Sequence, residues 1–216
     1  MNRIILTGLI SFILILTGCS FGQSTESSLN DVLTKVYEDE EGYRTAQEQL
    51  SELEKTEQAS YNELMELTQK EKEEISAKTA DMDSSLKERL SLINKEKESI
   101  SKAEESFKAF DDVMKDAKEE NIKGILEEMK KEMGLRFELH GEFTDQYEKL
   151  AELQKTLYGM LSDEHAELPK LQEKVAEVNA QNETVQSVIA EFNEHTKKFN
   201  ELKNDVYEKL NGENNE

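Results

Sequence analysis

From Leu171 to Val206 an apolar residue stands at every seventh position: Leu171, Val178, Val185, Phe192, Phe199 and Val206. The companion row, four residues on, is Val175, Asn182, Ile189, Thr196, Lys203 and Leu210. A 4,3 spacing held this long lays both rows along one stripe of a helix, the pattern of a seam in a left-handed bundle or coiled coil. Asn182, Thr196 and Lys203 break the second row. They admit two readings, a seam that frays to solvent or polar residues that fix register.

The same spacing runs through most of the chain. Leu86, Ile93, Ile100, Phe107 and Met114 follow at strict sevens, with Ala103, Phe110 and Ala117 beside them. Val36, Tyr43, Leu50 and Leu64 form an earlier row, flanked by Ala46, Leu53 and Leu67. Glu57, Glu71 and Glu74 fall in that seam, so its packing is expected to loosen toward the end. Residues 79–85 read as a turn, and Ser85, three before Glu88, has capping-box spacing for a new helix. Ile122, Ile125, Met129 and Met133, then Phe143, Tyr147, Leu150, Leu153, Leu157 and Met160, make a further stripe. Gly134 and Gly141 soften it, Gly159 and Ser162-Asp163 suggest its end, and Pro169 suits the first turn of the last helix.

These rows predict an all-α fold, an elongated up-and-down helical bundle with coiled-coil-like packing. Four long helices are expected, or three if the chain does not turn near Asn121. The expected organisation is a signal peptide over 1–18, a lipidated cysteine and tether over 19–28, the bundle over 29–210 and a polar tail over 211–216.

Composition agrees with long helices that bury a narrow stripe: 36% hydrophobic, 35% charged, one Pro and no Trp in 216 residues. The formal net charge is −21. Arg3 is the sole charged residue among the first eighteen, and the remainder carries −22. So acidic a body repels phosphate backbones and anionic membranes, which argues against nucleic acid as a partner.

Met1 to Arg3 is a short basic start, and Ile4 to Leu16 is uncharged throughout. Thirteen helical residues rise roughly 20 Å, short of a ~30 Å hydrocarbon core and right for a signal-peptide apolar region. The run ends in Leu16-Thr17-Gly18-Cys19, which resembles the bacterial lipobox. That resemblance implies diacylglycerol on the Cys19 thiol and cleavage before it, with Leu16, Thr17 and Gly18 read by the signal peptidase. Two acyl chains hold a protein stably where one does not. Cys19 is the only cysteine.

No catalytic residues, cofactor or metal ligands are expected. His140, His165 and His195 lack the Glu-x-x-His spacing of bundle di-iron sites, having Phe137, Ser162 and Phe192 three residues earlier. Asp81 and Asp83 lack the other oxygens and the glycine of a calcium loop. No P-loop, GxSxG or HExxH motif is present. The Asn182-Glu183-Thr184 sequon sits on a seam and reads as chance. Gly134 to Gly141, enclosing Arg136, Phe137 and His140, is either a recognition patch or a softened stretch of helix.

A lipobox ahead of roughly 190 residues of acidic, Trp-free heptads resembles the YkyA-type cell-wall-binding lipoproteins of Gram-positive bacteria. YEDEEGYRTAQEQLSELEKTEQ and FNEHTKKFNELKNDVYEKL carry the likeness. The resemblance implies an extracytoplasmic, lipid-anchored helical bundle on the outer face of the cell membrane, with a role at the wall. The partners expected are the membrane, through Cys19, and peptidoglycan or an envelope protein. A non-enzymatic binding or spacer module is the reading; the alternatives are an enzyme or regulator of wall hydrolysis, or a self-assembling coiled-coil scaffold.

Overall fold

A computed structural model describes residues 25–68 and 70–213. Among the described residues six helices follow one another: α1 (Thr25–Asp39), α2 (Glu41–Leu64), α3 (Lys72–Phe107), α4 (Phe110–Asp116), α5 (Glu120–Ser162) and α6 (Leu168–Glu213). No strand occurs among the described residues. The fold is all-α, with four long helices rather than three. Ala117 takes extended backbone (ψ 124°) and ends α4, and α5 starts three residues later. The chain therefore does turn just before Asn121, although no Gly or Pro forces it.

The heptad rows bury as their spacing dictates. On α3, Leu86, Ile93, Ile100 and Phe107 are buried, as is Ala103 one position class over, and Phe110 is buried at the start of α4. On α6, Val185, Phe192, Phe199 and Val206 are buried, whereas Leu171, Val175 and Val178 are half-buried. Pro169 lies in the first turn of α6, where a missing amide costs nothing.

Residues 79–85 are helical, which corrects the expected turn. Thr79 is buried seven residues before Leu86, and its hydroxyl donates back to the Ile75 carbonyl at 3.0 Å. Ser84 does the same to Ala80 at 3.0 Å. Such back-bonding satisfies the hydroxyls without breaking the helix. The real connection is residues 65–71, closed by the Glu71 amide on the Thr68 carbonyl at 2.9 Å. The Thr68 amide and hydroxyl both donate to Glu71 Oε2, at 2.8 and 2.9 Å. Glu71 is thus the residue that shapes the entry to α3, not a seam residue. The α5–α6 connection is an Asx-type turn in which the His165 amide donates to Asp163 Oδ1 at 2.9 Å.

The chain divides into two units. The first contains residues 25–42, 98–140 and 189–213. Its aromatic centre is Phe107, stacked on Phe110 at 4.7 Å and edge-on to Phe137 and Phe199 at 5.9 and 6.4 Å. Here α4 packs on α1. The break between α1 and α2 has a visible cause in this unit. The Ser99 hydroxyl takes the Asp39 carbonyl at 2.5 Å, a group an unbroken helix would use for the amide four residues on. Ser106 Oγ donates to the Asp39 carboxylate at 2.6 Å. Close approach needs Gly42, since a Cβ there would stand 3.2 Å from both Ser99 Cβ and Oγ.

The second unit contains Tyr43–Lys97 and Gly141–Val188. Its apolar core gathers Leu64, Met82, Leu86, Ala151, Leu157 and Tyr158. Gln47 opposite Glu96 and Glu57 opposite Arg89 set α2 antiparallel to α3. Gln181 Nε2 donates to the Gln146 carbonyl at 3.0 Å and joins α6 to α5.

Candidate functional site: buried polar seams

Most buried polar residues occupy positions that heptad spacing directs inward. Arg89 and Glu96 each lie three residues after a buried apolar residue, Leu86 and Ile93, and take the next seam slot on α3. Glu40, Gln47 and Glu54 recur at strict sevens beside the apolar row of the first helical arm. Both features are legible in the sequence once seams are allowed to carry polar pairs.

In the second unit Arg89, 2% exposed, is the hub. Its Nη2 donates to Glu57 Oε1 at 2.7 Å and Gln154 Oε1 at 2.9 Å. Its Nη1 donates to the Tyr147 hydroxyl at 2.8 Å. Tyr147 in turn donates to Glu54 at 2.7 Å, and Tyr158 donates to the same Glu57 oxygen as Arg89. Glu57 therefore does not loosen the seam as its charge suggests; it is tied into it. Burial pushes the Tyr147 hydroxyl well up from its ordinary range, and the Glu54 carboxylate beside it adds to the effect. Burial likewise raises Tyr158, with Glu57 contributing. Glu54 is also raised by burial, against the pull of the Tyr147 hydrogen bond. Nearby, Gln47 Nε2 lies 2.9 Å from both oxygens of fully buried Glu96. Burial pushes that carboxyl up to about 8, opposed by the Gln47 amide.

The first unit repeats the device. Arg136 forks onto Glu40, Nη1 to Oε1 at 2.5 Å and Nη2 to Oε2 at 3.1 Å. Its remaining Nε–H donates to Thr196 Oγ1 at 3.1 Å, and the Phe192 ring lies 4.8 Å from its guanidinium carbon. His195 Nδ1 stands 2.6 Å from Glu132 Oε2. Of the polar residues interrupting the α6 row, Thr196 therefore bonds across the seam, and Lys203 is buried with burial lowering its pKa. The seam does not fray at these positions.

Chemically these clusters are closed. Tyrosine hydroxyls held above their usual range stay protonated and give up their protons poorly, and the guanidinium groups are taken up by carboxylates. A groove of about 390 Å³ opens in the second unit, but it is lined by Glu48, Gln49, Glu52, Leu53, Thr56 and Glu88, none of them a cluster member. Among the described residues no three His, Cys, Asp or Glu side chains could hold a metal ion. Nor is any described helix long and apolar enough to cross a membrane. Arg136, Phe137 and His140 are buried within an unbroken α5, so the Gly134–Gly141 stretch presents no recognition patch. His165 is exposed in the α5–α6 turn. Leu16, Thr17, Gly18 and Cys19, the predicted processing and lipid-attachment residues, lie outside the described residues.

Fold and seams together define a helical-bundle protein whose heptad packing is keyed by buried arginine–glutamate pairs. Residues 24–209 match the family described as "YkyA: Putative cell-wall binding lipoprotein". The chain belongs to this YkyA family of lipoproteins. It is 31% identical over 195 residues to a protein of Bacillus subtilis (strain 168) named "Uncharacterized lipoprotein YkyA", a match spanning 90% of this chain and 87% of that one. A crystal structure of a conserved protein of unknown function from Staphylococcus aureus superposes with a TM-score of 0.71 at 19% identity. It covers 85% of this chain and 91% of its own, and the likeness is one of fold.

Proposed function

We propose that this lipoprotein is a non-enzymatic envelope module, held to the outer face of the cell membrane by a diacylglyceryl group on Cys19. Its helical body then serves as a binding or spacer element in the wall zone. The observation that carries the reading is the order of the chain: an apolar run of signal-peptide length, Leu16-Thr17-Gly18-Cys19, then an acidic helical body beginning at Thr25. The family description supports the wall assignment. The closed polar clusters favour binding over catalysis, because their ionisable groups face one another inside the seams.

Charge narrows the partner. A body of −22 is repelled by wall polyanions unless divalent cations bridge the two, whereas peptidoglycan or an envelope protein presents no such barrier. Metabolic lipid labelling and membrane fractionation test the anchor. Cys19→Ala should abolish the label and either release the protein or leave its signal peptide uncleaved. Unchanged labelling and fractionation would overturn the proposal. Co-sedimentation of the full chain with wall preparations, before and after removal of their polyanions, tests the partner. Retention should persist or improve after removal; no retention on either preparation, nor on envelope proteins, would argue for a spacer alone.

A further inference from the structure

Among the described residues, five buried side-chain polar atoms have no hydrogen-bond partner within the protein. Three belong to the second unit: Glu57 Oε2, Ser85 Oγ and Arg89 Nε. They are not scattered. Glu57 and Arg89 are already joined through Oε1 and Nη2 at 2.7 Å, so their second oxygen and their Nε sit at the two ends of one ion pair. Ser85 lies one turn before Arg89 on α3, so the two side chains share one face of the helix, and helical side chains lean toward their own N-terminus, that is, from Arg89 toward Ser85.

The geometry points to an ordered water bound between Arg89 Nε–H, Glu57 Oε2 and Ser85 Oγ. Donor and acceptor logic selects this ligand. The occupant must accept from a guanidinium N–H and donate to a carboxylate oxygen, while the serine hydroxyl can do either. An anion satisfies Arg89 and is repelled by Glu57. A cation satisfies Glu57 and is repelled by Arg89. A small neutral molecule that both donates and accepts suits all three, and buried waters typically make about three such bonds. The water completes the Arg89 hub, whose other two nitrogens are already spent on Tyr147, Glu57 and Gln154.

The test is water-selective nuclear Overhauser spectroscopy on the ¹⁵N-labelled full chain, read at the Arg89 Nε–H. The folded protein should show a cross-peak at the water frequency, with the sign of a slowly tumbling bound molecule. Ser85→Ala removes one of three partners and should weaken the peak severalfold. Ser85→Val fills the space and should abolish it while shifting the Arg89 Nε–H resonance. If the valine variant does not fold, the alanine variant and a crystal structure of the wild-type chain decide. Overturning results are a wild-type Nε–H without a water cross-peak, a peak that the alanine variant leaves unchanged, or electron density placing Arg89 Nε directly on Glu57 Oε2 at roughly 3 Å.

Discussion

Glu96→Gln should make the protein more stable, and increasingly so as pH rises. Glu96 is fully buried and its carboxyl titrates at about 8, against 4.5 for the free group. Between those values the folded chain holds a proton that the unfolded chain has lost. Folding is then linked to proton uptake, and stability falls with rising pH, by up to about 1.4 kcal/mol per pH unit. Below the window both states are protonated and the residue is neutral to stability. Above it both are ionised and the whole penalty is present. The window from 4.5 to about 8 corresponds to at most about 5 kcal/mol. Glutamine keeps the shape, stays neutral, and leaves Gln47 an amide to pair with. Urea unfolding followed by circular dichroism at 222 nm, from pH 5 to pH 9 at fixed ionic strength, measures the difference. The two proteins should lie within a constant offset near pH 5 and diverge steadily to pH 8. An offset that stays flat across the range would mean Glu96 is ionised throughout, and the reasoning from burial would fail.

Two other sets of substitutions bear on the same packing. Arg89→Met leaves the buried Glu57 without its counter-charge and should cost about 3–5 kcal/mol, whereas Arg89→Met with Glu57→Leu should recover most of it. Chemical denaturation of these two variants and of Glu57→Leu alone decides, and an additive double mutant would count against the pairing. Gly134 and Gly159 are exposed in α5, and a Cβ at either meets nothing within 4 Å. Alanine at each should raise stability by about 0.5–1 kcal/mol, seen as a higher melting temperature. Gly42→Ala should lower it, because its Cβ would press on Ser99 at 3.2 Å.

The apolar rows made most of the fold legible. Leu86 to Phe107 and Val185 to Val206 are buried where seven-residue spacing put them. What composition disguised was local chemistry. Residues 79–85 look like a turn because they are rich in Thr, Ser and Asp, yet Thr79 and Ser84 settle their hydroxyls on carbonyls one turn back and the helix continues. The true turn at 65–71 has no proline or glycine, and Thr68 with Glu71 supplies the shape instead. Glu57 reads as a flaw in its seam only while its partners are unknown, and Arg89 is 32 residues further along the chain. The apolar row of α6 said nothing of how deeply its two halves would sink, so Leu171 and Val185 look alike in sequence and differ in the fold. Of the candidate site, the order of the chain's first nineteen residues was readable at once. The buried clusters were not, because polar residues on a seven-residue row look like solvated faces until neighbouring helices enclose them.

The hub at Arg89 also bears on how such a chain finds its native state. A repeat of seven is nearly blind to a slip of seven: moving α2 by one heptad against α3 still sets leucine near leucine. It would also set Leu50 or Leu64 against Arg89 and leave a guanidinium buried with no carboxylate. Stranding one charge in this way costs about 3–5 kcal/mol, enough to make the slipped pairing short-lived. The arginine–glutamate pair thus acts as a proofreader during folding, rejecting misaligned helices that the apolar rows alone would accept.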